Sequence, residues 1–167
     1  MARSTYLIAL GSNRAGRAGP PRRVLAAAIA ALPGVVETSR IIDSAAVGPS
    51  IRRYANAVVR IEDARDPTAL LAELQRIERG FGRRRGRRWG ARVLDLDIIL
   101  WSGGAFAGPG LVIPHPRFRE RRFVLAPLAE LVPGWRDPIT GRSMRQLLVR
   151  LTLRGPPLTA RAHGRGP

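Results

Sequence analysis

Asp95 and Asp97 stand in the stretch Val93-Leu94-Asp95-Leu96-Asp97-Ile98-Ile99-Leu100. On a strand, the two-residue period sends Leu94, Leu96, Ile98 and Leu100 to one face and both carboxylates to the other, about 6.6 Å apart along the chain. Two acids so placed repel each other and lose hydration, a cost that a cation or an arginine must offset. Magnesium suits the arrangement, because it takes oxygen ligands and is usually held by one or two carboxylates plus substrate phosphates. Pairing with arginines on a solvated face is the other arrangement the pattern allows, and an Asp-x-Asp alone does not choose between them.

The residues just before the pair, Gly82-Arg83-Arg84-Arg85-Gly86-Arg87-Arg88-Trp89-Gly90-Ala91-Arg92, combine glycines, six arginines and one aromatic ring. Glycine frees the backbone, guanidinium groups are planar and permanently charged phosphate donors, and tryptophan offers a flat face. Phosphoryl transfer asks a protein mainly for positioning and charge stabilisation, which such a loop and a metal would provide. A solvated basic loop is the plainer reading; adjacency to the acidic strand favours a metal–nucleotide site. Asn56, in Tyr54-Ala55-Asn56-Ala57-Val58, is a second unusual residue, since Asn has poor strand propensity and its amide reads both donors and acceptors.

Positioning these groups requires a sheet. Thr5 to Leu10 is a continuous apolar run, expected as a strand buried on both faces. Pro20-Pro21 suits a helix start, with Val24, Leu25, Ala28, Ile29 and Leu32 on one stripe and a stop at Pro33-Gly34. A second strand is expected from about Val35 to Ser44 and a third from Tyr54 to Ile61, with Ala55, Ala57, Val59 and Ile61 on one face and Tyr54, Asn56, Val58 and Arg60 on the other. Asp66-Pro67 begins a second helix carrying Leu70, Leu71, Leu74 and Ile77, and Val93 to Trp101 reads as the fourth strand. The order β-α-β-β-α-β predicts an α+β, ferredoxin-like core: an antiparallel sheet with two helices on one face. Short helices around Arg121 to Leu131 and Ser143 to Leu151 are expected to cover part of the other face and leave a cleft. Residues 1–153 are expected to form one domain, and 154–167, rich in Gly, Pro and Arg, a disordered tail.

A chain of 167 residues without cysteine must rely on a packed core rather than disulfides, and catalysis by a thiol is excluded. The short run Tyr6 to Leu10 is no secretory signal and no segment approaches a membrane span, so a cytoplasmic protein with no membrane partner is expected. All 29 basic residues are arginine, against 12 acidic ones, for a net charge of +17. Such a field attracts phosphates, although a coding bias toward Arg, Ala, Gly and Pro accounts for the total equally well; only clustered arginines inform.

Arg88-Trp89-Gly90-Ala91-Arg92-Val93-Leu94-Asp95-Leu96-Asp97-Ile98-Ile99 resembles the most distinctive stretch of the hydroxymethyl-dihydropterin pyrophosphokinase family. Leu10-Gly11-Ser12-Asn13, Tyr54 to Val58, Gln75-Arg76-Ile77-Glu78, Pro114-His115-Pro116-Arg117 and Arg121 to Leu128 resemble other family segments, so the likeness covers about residues 4 to 150. The resemblance implies transfer of pyrophosphate from ATP to the hydroxymethyl group of 6-hydroxymethyl-7,8-dihydropterin, releasing AMP, in folate biosynthesis. It further implies two magnesium ions (Mg2+) on Asp95 and Asp97, and ATP lined by Gln75, Glu78, Arg85, Trp89, Arg92, Ile98, His115 and Arg121. Arg83 and Arg92 would act catalytically from mobile loops, and Ser44, Ala45, Val47, Tyr54, Asn56 and Phe123 would form the pterin pocket. A monomer without nucleic-acid partners goes with it. Ala45-Ala46 stands where the family commonly has Pro-Pro, and Gly110 and Val112 where many members have an Arg and a Thr. His115 between prolines also suits a plain turn, and Phe123 ordinary core.

The alternative is an RNA-binding ferredoxin-like module, which shares the element order and the excess of arginine. Such modules stack bases on exposed aromatics of the central strands, whereas the fourth strand here offers carboxylates that repel phosphates unless a metal intervenes. A nucleotide-sugar transferase using Asp-x-Asp would need a longer chain.

Overall fold

The computed structural model describes residues 2–44, 53–82 and 92–155. Strand β1 (Ser4–Ser12) is central, paired antiparallel on one side with β4 (Tyr54–Asp63) and on the other with β5 (Asp95–Trp101). β2 (Val35–Thr38) and β3 (Ile42–Ser44) both pair with β4, so the sheet runs β2-β4-β1-β5. That is the expected antiparallel α+β sheet. Its expected second strand, 35–44, is divided: between the pairs Thr38↔Val59 and Ile42↔Asn56 the outer strand takes four steps against three on β4. Ser39 fills the gap, its N–H donating to Val58 O and its Oγ accepting from Val58 N, both at 2.9 Å.

Helices α1 (Pro21–Ala31) and α2 (Pro67–Gly80) cover one face. Val24, Leu25, Ala28, Leu70, Leu74 and Ile77 pack there on Tyr6, Ile8, Leu10, Ala55, Ala57, Val59, Ile61, Leu94, Leu96 and Ile98. α1 ends where Gly34 takes φ 66° with its backbone against Glu62 O, a position with no room for a side chain. α2 begins on Asp66, whose side chain accepts from Ala69 N at 2.9 Å, followed by Pro67 at its first position. Asp66→Ala is expected to lower stability by about 1 kcal/mol in urea unfolding with an unchanged slope.

The opposite face carries a second core. Leu7, Ala9, Val58, Ile99 and Leu100 meet Phe118, Val124, Leu125, Leu128, Met144 and Leu147, contributed by a 3-10 turn (Phe118–Glu120), α3 (Arg122–Leu131) and α4 (Met144–Leu153). α4 starts with a reciprocal cap between Ser143 and Gln146. A hairpin, β6 (Phe106–Gly108) and β7 (Leu111–Ile113), turns through Gly110 at φ 70°, a conformation that disfavours any side chain there. Leu100 departs from the simple alternation. β1 pairs Leu7 with Leu100 but Ile8 with Ile98, so Ile99 is an extra residue, and after this bulge Leu100 joins the second core rather than the first. Both sheet faces are therefore covered by helices, whereas an RNA-binding module leaves one open for bases. Among the described residues no helix is long and apolar enough to cross a membrane.

Candidate active site

Directly opposed residues of neighbouring strands share a sheet face. The register places Val58, Ala9 and Asp97 in one row across β4, β1 and β5, and Asn56, Gly11 and Asp95 in the next. The second core ends at the Val58–Ala9 row, so the carboxylates and Asn56 lie on the same face just beyond it. The strand period thus brings Asp95 and Asp97 together as expected, and the register adds Asn56 to their surroundings.

Asp97 is open to solvent yet lies amid protein: desolvation is the main influence and raises its pKa, His115 opposes, and Asp95 adds to the rise against Arg121 and Arg92. Asp97 is thus a carboxylate that solvent reaches and that neighbouring protein partly desolvates. Asp95 is held by Arg92, whose Nη1 donates to Oδ1 at 2.7 Å, and this bond is the main cause of the raised Arg92 pKa. The carboxylate pair thus has one member neutralised by an arginine and one without an ion pair among the described residues. Glu78, 2% exposed, accepts from Leu96 N at 2.8 Å through Oε1 and so ties α2 to the outer edge of β5 between the two aspartates.

His115 enters from the loop after β7. Its N–H donates to Ile99 O at 3.0 Å and its Nδ1 accepts from Arg117 N at 3.1 Å, so the neutral ring carries its proton on Nε2. Burial chiefly lowers its pKa, against the pull of Asp97, with Arg121 and Arg117 lowering it further. The bond to Ile99, two residues past Asp97 on β5, together with the mutual His115–Asp97 influence, sets the histidine near that carboxylate. Arg121, at the N-terminus of α3, lies 5.9 Å from the ring centre of the half-buried Phe123.

Ser44 and Asn56 are joined on the far side of the row: Asn56 Nδ2 donates to Ser44 Oγ at 2.7 Å, and Tyr54 pairs with Ser44 in the ladder. Gln75 is exposed on α2, one turn before Glu78. Ile98 and Glu78, both expected to line a nucleotide, are each 2% exposed; Ile98 has its side chain in the first core because the strand period turns it away from the aspartates. Any contact it makes with a ligand runs through its main chain, on an edge strand whose neighbouring Leu96 N–H and Ile99 C=O already point outward to Glu78 and His115. Arg83, Arg85, Trp89, Ala45 and Val47 lie outside the described residues.

Two contributors escaped sequence reasoning. Asn13 accepts from Arg92 N through Oδ1 at 2.7 Å while its own N–H donates to Arg92 O at 3.2 Å, clamping the start of the acidic segment to the end of β1. Gly11 occupies the middle of the Asn56–Asp95 row. An Asn and a Gly at the end of a buried apolar strand were the available signals, but the partner of each is distant in the chain.

Among the described residues no cluster of three or more ligating His, Cys, Asp or Glu side chains occurs. The donor set therefore fits a hard cation that takes one or two carboxylates here and completes its shell with water and phosphate oxygens, as magnesium does, and does not fit an all-protein cage.

Residues 7–133 match the family described as 7,8-dihydro-6-hydroxymethylpterin-pyrophosphokinase. The chain is 41% identical over 138 residues to a 2-amino-4-hydroxy-6-hydroxymethyldihydropteridine pyrophosphokinase of Synechocystis sp., covering 80% of this chain and 71% of the relative. It is 39% identical over 154 residues to the protein of that name from Pseudomonas aeruginosa, covering 89% and 92%. In fold it is similar to the Plasmodium falciparum HPPK-DHPS crystal structure with pteroate, with a TM-score of 0.69 at 13% identity over 91% of this chain. The chain spans only 45% of the length of that solved protein.

Proposed function

Because the chain belongs to the 7,8-dihydro-6-hydroxymethylpterin-pyrophosphokinase family, we propose that it transfers pyrophosphate from ATP to the hydroxymethyl group of 6-hydroxymethyl-7,8-dihydropterin and releases AMP, a step of folate biosynthesis. The observation that carries this reading is the placing of Asn56 in one sheet row with Asp95, next to Asp97, on the sheet face just beyond the second core. An amide suited to the edge of a heterocycle and a carboxylate pair suited to a metal-bound triphosphate then lie side by side.

In this reading Asp95 and Asp97 hold magnesium, two ions being the number we propose. When bound, the metal neutralises the charge that develops as the bond to the leaving group breaks. The chain's own residues position the reactants. Asn56, held by Ser44, orients the pterin edge, with Tyr54 and Phe123 as its aromatic neighbours; Ala45 and Val47 complete that pocket. Arg92 and Arg121 supply guanidinium charge to the phosphates, joined by Arg83 and Arg85, while Gln75, Glu78, Trp89, the Ile98 main chain and His115 receive the rest of the nucleotide. His115 Nε2–H is a neutral donor suited to a phosphate oxygen. The alcohol oxygen attacks the β-phosphorus in line, the bond from that phosphorus to the AMP oxygen breaks, and the alcohol proton passes to solvent or a phosphate oxygen. Little early proton removal is needed in a loose transition state, so positioning supplies most of the acceleration. A monomer working in the cytosol accords with this reading, as does a chain free of cysteine.

The test is direct. Purified protein with ATP, magnesium and the reduced pterin alcohol is expected to release one AMP per pterin diphosphate formed, measured by mass spectrometry. ADP as the nucleotide product, or no product, would refute the assignment.

A further inference from the structure

Gly11, the penultimate residue of the central strand, is paired on both sides, where glycine is an unfavourable choice: it has no side chain to pack and loses the most backbone freedom on folding. Such a glycine normally answers a positive φ or a steric need. Neither applies here. Gly11 does not take a positive φ, and among the described residues a Cβ built on it would meet one atom within 4 Å, Asn56 Oδ1, at an ordinary contact distance of 3.5 Å. Among the described residues, the missing side chain leaves space on the face carrying Asn56 and Asp95. Its two ladder partners are those residues themselves, so Gly11 is the floor between them across about 10 Å of sheet. Asn56 is 5% exposed, its Nδ2 is taken by Ser44, and its Oδ1 accepts no hydrogen bond from the described residues, so an acceptor borders this open floor.

We infer that Gly11 is a specificity-determining position: the one-carbon alcohol arm of the bound heterocycle passes over its Cα to reach the phosphorus held at Asp95 and Asp97. This rests on the pyrophosphoryl-transfer reading above and adds to it the residue that admits the arm. A methyl group at position 11 fills the path of the substituent while leaving Asn56 in place, because the new contact is an ordinary one. The ring is then still read, and the arm is displaced from the line of attack.

The experiment compares wild type with Gly11→Ala by calorimetric binding of two probes, pterin without a substituent and 6-hydroxymethylpterin, each with a non-hydrolysable ATP analogue and magnesium present. Alanine is expected to leave the affinity for bare pterin and the melting temperature undiminished, to weaken 6-hydroxymethylpterin roughly tenfold, and to lower kcat/KM for the reduced alcohol by at least that factor. Gly11→Val, measured for turnover, is expected to lose more. Equal weakening of both probes, or unchanged turnover in the alanine variant, would overturn the inference while leaving the parent activity standing. A wild-type protein that binds neither probe and releases no AMP would overturn both.

Discussion

Asp97→Ala is expected to cut turnover by a factor on the order of 10³, with Asp95→Ala close behind, while pterin binding stays measurable. The effect is large because each carboxylate does work no neighbour duplicates. Among the described residues Asp97, open to solvent, has no ion-pair partner, and Asp95 is the sole ion-pair partner of the Arg92 guanidinium. Removing Asp95 loosens Arg92 as well, so its KM for ATP should rise together with the fall in kcat, whereas Asp97→Ala should act mainly on kcat. Asp97→Asn separates charge from shape: the amide keeps the volume but binds a hard cation poorly, and should resemble alanine. Steady-state rates over a magnesium titration check this, with the wild-type midpoint shifting to higher metal concentration in each variant. Full activity in both alanine variants would remove the carboxylates from the mechanism.

The largest effect on stability is expected at a buried ion pair outside the carboxylate rows. Asp137 is 0% exposed and receives Arg119 Nε and Nη2 in a fork, both at 2.7 Å, along with Thr140 Oγ1 at 2.6 Å and Ile139 N at 3.1 Å. This fastens the loop 132–143 to the turn that follows His115, and Arg119 also lies 4.7 Å from the centre of the Phe118 ring. Arg119→Ala strands a buried carboxylate and should cost about 3 kcal/mol. For a chain of this length that loss corresponds to a fall in melting temperature of roughly 6–12 °C. The double replacement Arg119→Met with Asp137→Leu should recover much of it, since no charge is then left unpaired.

The same pair sets an acid limit. Desolvation, the largest influence on Asp137, pushes its pKa up, but Arg119, Thr140 and the Ile139 amide together outweigh it and hold the pKa below the ordinary 3.8. A depressed carboxylate stabilises the fold fully above its unfolded pKa, and the contribution drains away as pH falls through the folded value. Wild type should therefore lose stability below about pH 4 more steeply than Asp137→Asn, measured by thermal melts across that range.

Local signals in the chain carried far. The helix at 21–31 follows from Pro20-Pro21 and a one-sided apolar stripe, the helix at 67–80 from an Asp66 cap, and the pairing of Asp95 with Asp97 on one face from the two-residue period alone. Two expectations failed where an extra residue interrupts a period. Ile99 moved Leu100 into the other core, and the stretch between Thr38 and Ile42 broke one expected strand into two. A bulge is a property of two strands in register and leaves no mark on either one read singly.

Residue type and spacing by themselves determined the two covering helices with their apolar faces, the central strands and the two acids on one sheet face, because backbone periodicity is enforced within a few residues. Tertiary structure alone decided that Asn56 and Asp95 flank Gly11, that Asn13 grips Arg92 from 79 positions away, and that Asp137 closes on Arg119. Ladder register and buried ion pairs join distant segments, and their energies exist only once the chain has brought those segments into contact.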